Sequence, residues 1–167
     1  MEPTDVALTA LRLWLGAVMT LHGVNHARNL GSTASWFESK GFASPRANAA
    51  ASAIGEIAIG AALILGLLTS VAAAGLIATM TVAFVAIHRK AGFFVFNRPD
   101  EGYEYVATLS ASSLALAGLG PGEVSLDAAI GVDLAGWTGI GIGVAGVLVG
   151  LGQLAAFWRP IEQRSTP

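Results

Sequence analysis

The 167-residue chain has no cysteine, which excludes a disulfide scaffold, a thiol redox centre and any zinc or iron–sulfur site held by thiolates. Charge is scarce as well. Only 12% of the residues are Asp, Glu, Lys or Arg, about half the fraction of an ordinary soluble domain. So few charged side chains cannot cover the surface of a water-soluble globule. The 54% of hydrophobic residues, with 21 glycines besides, equally exclude a disordered chain. Also missing are a Walker-type phosphate loop, a dinucleotide fingerprint after a strand, an HExxH pair and a basic aromatic surface, so nucleic acid is not an expected partner. Lipid is. The residues ahead of the first apolar run, Met1-Glu2-Pro3-Thr4-Asp5, hold two acids and no Lys or Arg. They lack the basic start of a secretory leader, and the run is read as a retained span.

A spanning helix needs about 20 mainly apolar residues, because the hydrocarbon slab is roughly 30 Å thick and each residue rises about 1.5 Å. Five segments qualify: residues 6–24, 47–67, 71–88, 103–119 and 136–158. The second and third share one apolar stretch that can turn only around Gly66 to Ser70, which makes a tight helical hairpin. The fourth ends at Gly120-Pro121-Gly122 and the fifth at Arg159-Pro160, where helix propagation fails. Trp137 and Trp158 are 21 residues apart, roughly 31 Å of helix, so both indoles can reach headgroup level. The segments at 33–45, with Trp36 and Phe37, and at 91–97, with three phenylalanines among Arg89, Lys90 and Arg98, read as interfacial or re-entrant. The expected fold is all-α, a polytopic membrane bundle forming a single membrane domain over residues 1–167.

Five crossings divide the loops into two sets. The 25–46 loop, the 88–102 loop and the C-terminal tail hold Arg28, Lys40, Arg46, Arg89, Lys90, Arg98, Arg159 and Arg164, eight of the nine basic residues. The N-terminus, the 66–70 turn and the 120–135 loop hold none, but carry Glu2, Asp5, Glu123, Asp127 and Asp133. The positive-inside rule then puts the N-terminus outside and the C-terminus in the cytoplasm.

Ionisable residues within spans are expensive and mark candidate sites. Glu56 lies roughly 13 Å down the second span, close to the midplane, where an ionised carboxylate costs about 2.5–3.5 kcal/mol. It should face the bundle, find a partner or stay protonated. Either a functional carboxylate or a neutral acid tying two helices together fits. His22, Asn25 and His26 share one face at the end of the first span, and His88 closes the third span on the same side. Imidazoles so placed suit proton transfer, a carbonyl partner or a metal, although their spacing matches no specific metal motif. His26, nearest the helix end, is expected to cap carbonyls or sit at the interface. On the fourth span Glu101, Tyr105, Thr108 and Ser112 form a polar stripe with Glu104 at its edge, expected to point inward. The first four spans would then enclose a polar chamber, roofed by the Phe-rich loop and closed from below by Glu56. Arg12 is expected to snorkel outward to Asp5 or the 120–135 loop. Gly139, Gly143, Gly146 and Gly150 share one face of the fifth span, suited to close helix packing against the core or a second copy.

Several local patterns together resemble the DoxX family of small bacterial membrane proteins. They are Arg12 with Gly16 leading to His22-Gly23; Trp36-Phe37 with Gly41 and Pro45; and Glu56 with Gly60 before Leu65-Gly66-Leu67-Leu68-Thr69. They continue in His88, Gly92-Phe93-Phe94, Gly102-Tyr103-Glu104-Tyr105, Gly120-Pro121-Gly122 and Ser125-Leu126-Asp127. The lysine often found after the His-Gly pair is absent, and a fifth apolar run follows the family's usual four-helix unit. The resemblance implies a four-helix core in the bacterial cytoplasmic membrane. Some members look like subunits passing electrons from sulfur compounds to quinone; others are similar to scaffolds that hold detoxifying enzymes at the membrane during oxidative stress. Carried over, it points to His22, Glu56, His88, Glu104 and Tyr105.

The expected function is a membrane subunit of a redox or oxidative-stress complex whose chamber takes quinone or another lipophilic ligand, with no covalent cofactor. As an oxidoreductase it would need a partner to supply electrons. The alternative is a non-catalytic scaffold or assembly factor. Protein partners, or a second copy packed through the fifth helix, are expected in either case.

Overall fold

The computed structural model describes residues 2–99 and 101–160. Among them the chain forms seven α-helices and no named strand: α1 (Pro3–Arg28), α2 (Leu30–Ser39), α3 (Pro45–Leu65), α4 (Thr69–Ala86), α5 (Glu104–Leu119), α6 (Leu126–Ile130) and α7 (Gly136–Phe157). Local chemistry sets their ends. Pro3 and Pro45 open α1 and α3 at the first helical turn, where a missing N–H costs nothing. Gly66 closes α3 in the left-handed conformation at φ 66°, a backbone that favours glycine. Ser125 caps α6 by accepting from Ala128 N–H at 3.1 Å.

Four helices, α1, α3, α4 and α7, are long and apolar enough to cross a membrane, so the chain is a multi-pass membrane protein. The expected fourth span is α5. It forms a helix where expected but has only 16 residues, about 24 Å, and falls short of the other four. It is nevertheless an integral part of the bundle. Ser70 Oγ of α4 lies 3.0 Å from the Ala117 carbonyl near one end of α5, and Phe84 packs edge-to-face on Tyr103 at the other. These contacts run α4 and α5 antiparallel.

Small residues fix the remaining neighbours. Gly16 faces Gly60 and Ile64, and Gly23 faces Ala53 and Ile57, so α1 and α3 are antiparallel; a Cβ on either glycine would lie 2.8 Å from an α3 carbonyl oxygen. On α7 the four expected glycines are all buried. Gly139 meets Ala117 of α5, Gly143 meets Leu114 and Ile77, Gly146 meets Ala74, and Gly150 meets Ala78 and Thr81. Their face is thus taken up inside the chain by α4 and α5. The central core, Leu15, Met19, Leu63, Leu76, Leu109 and Leu116, lies between α1, α3, α4 and α5.

The two loop sets gather at opposite ends. At the acidic end Arg12 reaches the 120–135 loop as expected, at Val124, but without emerging to the surface. It is 1% exposed and turns inward, donating to the Leu63 and Ile64 carbonyls at the end of α3 (3.1 and 2.9 Å) and to Val124 O. Buried Asp127 accepts from Leu68 N–H and Thr69 N–H, at 2.6 and 2.8 Å, where α4 starts. A cation thus sits on orphan carbonyls and an anion on orphan N–H groups, as the helix dipoles require. Asp5 instead accepts from Glu123 N–H at 3.0 Å.

At the basic end Trp158 is half-buried rather than a free headgroup anchor. Its Nε1 donates to Lys40 O at 2.9 Å, and Arg89 stacks over its ring at 5.8 Å. Trp137, by contrast, is 90% exposed. Arg164 of the expected basic set lies outside the described residues.

Candidate functional site

The bundle encloses a cavity of about 670 Å³ towards its basic end, lined mostly by apolar side chains of all the long helices and of α2. Four of the five sequence-selected residues line it: His22, Glu56, His88 and Tyr105. Glu104 does not. Its carboxylate turns to the 91–97 loop and accepts from Val95 N–H at 3.2 Å. That loop is no roof either. Backbone bonds from Gly102, Tyr103 and Glu104 to Phe94, Gly92 and Phe93 fold it onto the start of α5, with Phe93, Phe94 and Phe96 exposed. The cover comes from Trp36 and Phe37 of α2 and from Phe42. The 33–45 stretch therefore closes the chamber; its helix ends at Ser39 and packs on α3 through Ala34, Phe37 and Ala49.

Glu56, near the middle of α3, is 5% exposed. Its Oε1 accepts from Ser52 Oγ at 2.5 Å, one turn back on the same helix. The same oxygen lies 3.3 Å from Nδ1 of His26, which also lies 3.2 Å from Ser52 Oγ. Its Oε2 is buried and has no hydrogen-bond partner. The histidine that meets Glu56 is thus His26, expected only to cap or sit at the interface. His22 turns the other way. Its ring lies 6.5 Å from that of Tyr105, nearly parallel, and 6.4 Å from that of His26. Since His22 and Tyr105 are both exposed and both line the cavity, they form its rim between α1 and α5. His88 is oriented by its Nδ1–H, which donates to Glu101 O at 2.6 Å. That leaves Nε2 as the ring's remaining acceptor.

Beyond Tyr105 at the cavity rim, the polar stripe of α5 does not face inward. The buried side of that helix is Val106, Leu109, Ser113, Leu116 and Ala117. Thr108 is exposed and returns its hydroxyl to the Glu104 carbonyl at 2.8 Å. A hydroxyl bonded to the preceding turn needs no partner helix, so the stripe has no reason to point at one. Among the described residues no group of three His, Asp or Glu side chains stands close enough together to hold a metal ion.

Residues 7–89, from the second turn of α1 to just past the end of α4, match the family model described as DoxX. The chain is a DoxX-family membrane protein. The matched region supplies the Glu56–Ser52–His26 cluster and His88 of the DoxX chamber, whereas Tyr105 and the cavity wall from α5 and α7 lie beyond it. No curated protein and no solved structure matches the chain.

The sequence does not single out Ser52, and it marks His26 only as one of three imidazoles at this end, expected to cap. Ser52 precedes Glu56 by one helical turn, a spacing that signals a shared face. His26 could be placed only from the α1–α3 register, which the Gly16–Gly60 and Gly23–Ala53 contacts set.

Proposed function

We propose that this DoxX-family protein is the membrane subunit of a redox or oxidative-stress complex in the bacterial cytoplasmic membrane, and that its chamber takes a lipophilic carrier of the quinone class. The observation behind this reading is Glu56 Oε2, a buried carboxyl oxygen with no partner on a residue lining a mostly apolar cavity of about 670 Å³. An unsatisfied buried polar atom costs about 1–3 kcal/mol, a cost that a ligand oxygen removes. The volume lies within the range of small-molecule pockets, about 300–1,000 Å³.

When bound, such a carrier couples electron transfer to proton transfer. The chain's part is to place and protonate it. Protonated, Glu56 Oε2 donates to a carbonyl oxygen; ionised, it accepts from a hydroxyl. One atom therefore serves both redox forms. Ser52 and His26 hold Oε1 in place meanwhile. His88 Nε2 offers a second acceptor, and the His22–Tyr105 pair flanks the entrance. Electrons come from a partner protein, since the sequence has no cysteine, haem-attachment pattern or flavin motif. In this reading α5 crosses the bilayer along with α1, α3, α4 and α7. Short α5 is accommodated by local thinning, and the basic end faces the cytoplasm.

The scaffold reading is favoured by one observation: the Ser52–His26–Glu56 contacts tie α1 to α3, as a purely structural network would. Purification in mild detergent, with identification of bound small molecules and co-purifying polypeptides, separates the two. The expected result is a co-purifying quinone and a Tm that rises on quinone titration. A hundredfold excess over Kd adds about 2.7 kcal/mol, and Glu56→Ala loses most of that gain. Partner polypeptides without quinone, and a flat titration, would favour the scaffold.

A further inference from the structure

A second recess, of about 340 Å³, opens beside the chamber at the basic end and differs from it in character. Asn25, Asn29, Ser32 and Thr33 line it, together with His26 and Trp36. Asn25, Asn29 and Ser32 are exposed, and the polar lining suits water as the apolar chamber does not. His26 and Trp36 are the two residues common to both spaces. His26 is held at the partition. Its Nδ1 edge is on Ser52 and Glu56, and Thr33 Oγ1 donates to its backbone carbonyl at 3.4 Å. With Nδ1 committed to the carboxylate side, Nε2 lies on the opposite edge of the ring.

We propose that this recess is the aqueous mouth of a proton path into the chamber, and that His26 relays protons between it and Glu56. The proposal rests on the chamber reading above and supplies what that reading lacks, a source of protons for a carboxyl near mid-bundle. Glu56 Oε2–H gives its proton to a ligand oxygen and becomes a carboxylate. His26 Nδ1–H passes its proton to that carboxylate while Nε2 accepts one from a hydronium ion in the recess, which becomes water. The net transfer is one proton with no electron; rotation of the carboxyl group returns the acid proton to the chamber side, and a flip of the imidazole ring restores the N–H facing Glu56. An imidazole suits the role because its two nitrogens can bind and release protons on opposite edges. Trp36, the other shared residue, separates bulk water from the apolar lining.

The test is infrared spectroscopy of the full chain in lipid nanodiscs during transfer to D₂O. The carboxylic acid band of Glu56 is assigned by its loss in Glu56→Gln. In the unmodified protein this band shifts rapidly. In His26→Gln the shift slows on the order of 10²-fold, the lower end of what a positioned acid–base group contributes. Ser32→Trp, which fills the recess on the far side of His26 and leaves Ser52 and Glu56 unaltered, slows it similarly while leaving quinone-induced thermal stabilisation unchanged. The second variant keeps the test decisive if His26→Gln misfolds. Equal exchange rates in all three proteins, or a Glu56 that shows only carboxylate bands, would overturn the relay. Slowed exchange in a protein that no quinone stabilises would uphold the path and remove the ligand reading; quinone stabilisation with unaltered exchange would do the reverse.

Discussion

At the scale of single residues, two charged groups in the same bundle are treated differently by their surroundings. Arg12 is buried with its donors on three carbonyls and with Asp127 across the α3–α4 turn. Its role is to close that turn. Arg12→Met leaves the ends of α3 and the 120–125 loop without their donor and Asp127 without its countercharge. It should destabilise the protein by about 3 kcal/mol, read as a lower Tm in detergent, with quinone affinity intact in whatever remains folded. Each keeps one buried atom without a partner, Arg12 Nε and Glu56 Oε2, but only Glu56, with its other oxygen saturated by Ser52, lines the chamber. Glu56→Gln should therefore preserve the fold, because an amide can still accept from Ser52, while abolishing carboxyl proton exchange. Both residues stood out in the sequence as charges within apolar runs. Which was structural and which was open to a ligand depended on neighbours far along the chain, Val124 and Asp127 for one and His26 for the other.

Among the elements, α7 shows how composition turns into packing. Its four buried glycines bring its backbone against α4 and α5, and Gly146 sits on the backbone of Ala74. Gly146→Leu should separate α7 from α4 and cost about 1–3 kcal/mol of overpacking, or more where the helix undocks, measured as faster proteolysis after Phe157. Gly152, whose Cβ would meet nothing within 4 Å, is the control, and Gly152→Leu should be neutral. Any contact of α7 with another chain must use the face opposite the buried glycines. The α5 helix carries the reverse lesson. Its hydroxyls looked like a stripe seeking partners, but threonine and serine in a helix can bond the carbonyl one turn back. Periodicity reads polarity without knowing whether that polarity is already satisfied.

For the whole molecule, the distribution of charge is the testable quantity. The natural absence of cysteine makes single-cysteine labelling free of background. With the basic end in the cytoplasm, Ser32→Cys should react with a membrane-impermeant thiol reagent only from the cytoplasmic side. Ala128→Cys, in α6 at the acidic end, should react only from outside. Labelling of both from one side would mean that α5 does not cross, whatever its place in the bundle.

Four of the spans, their approximate limits and the segregation of basic residues were already determined by the sequence, because apolar length and loop charge are one-dimensional properties that no folding event changes. The rotation of each helix about its own axis was decided only by tertiary structure. It depends on which small residues let which backbones meet. The contacts of Gly16 and Gly23 with α3 bring His26 to Glu56 and leave His22 to Tyr105, and the α2 cover places Trp36 and Phe37 over the chamber where the Phe-rich loop was expected. His22 and His26 lie only about 40° apart around α1 but about 6 Å apart along it, so the register of α1 against α3 decides which imidazole meets Glu56, and nothing within the helix itself specifies that register.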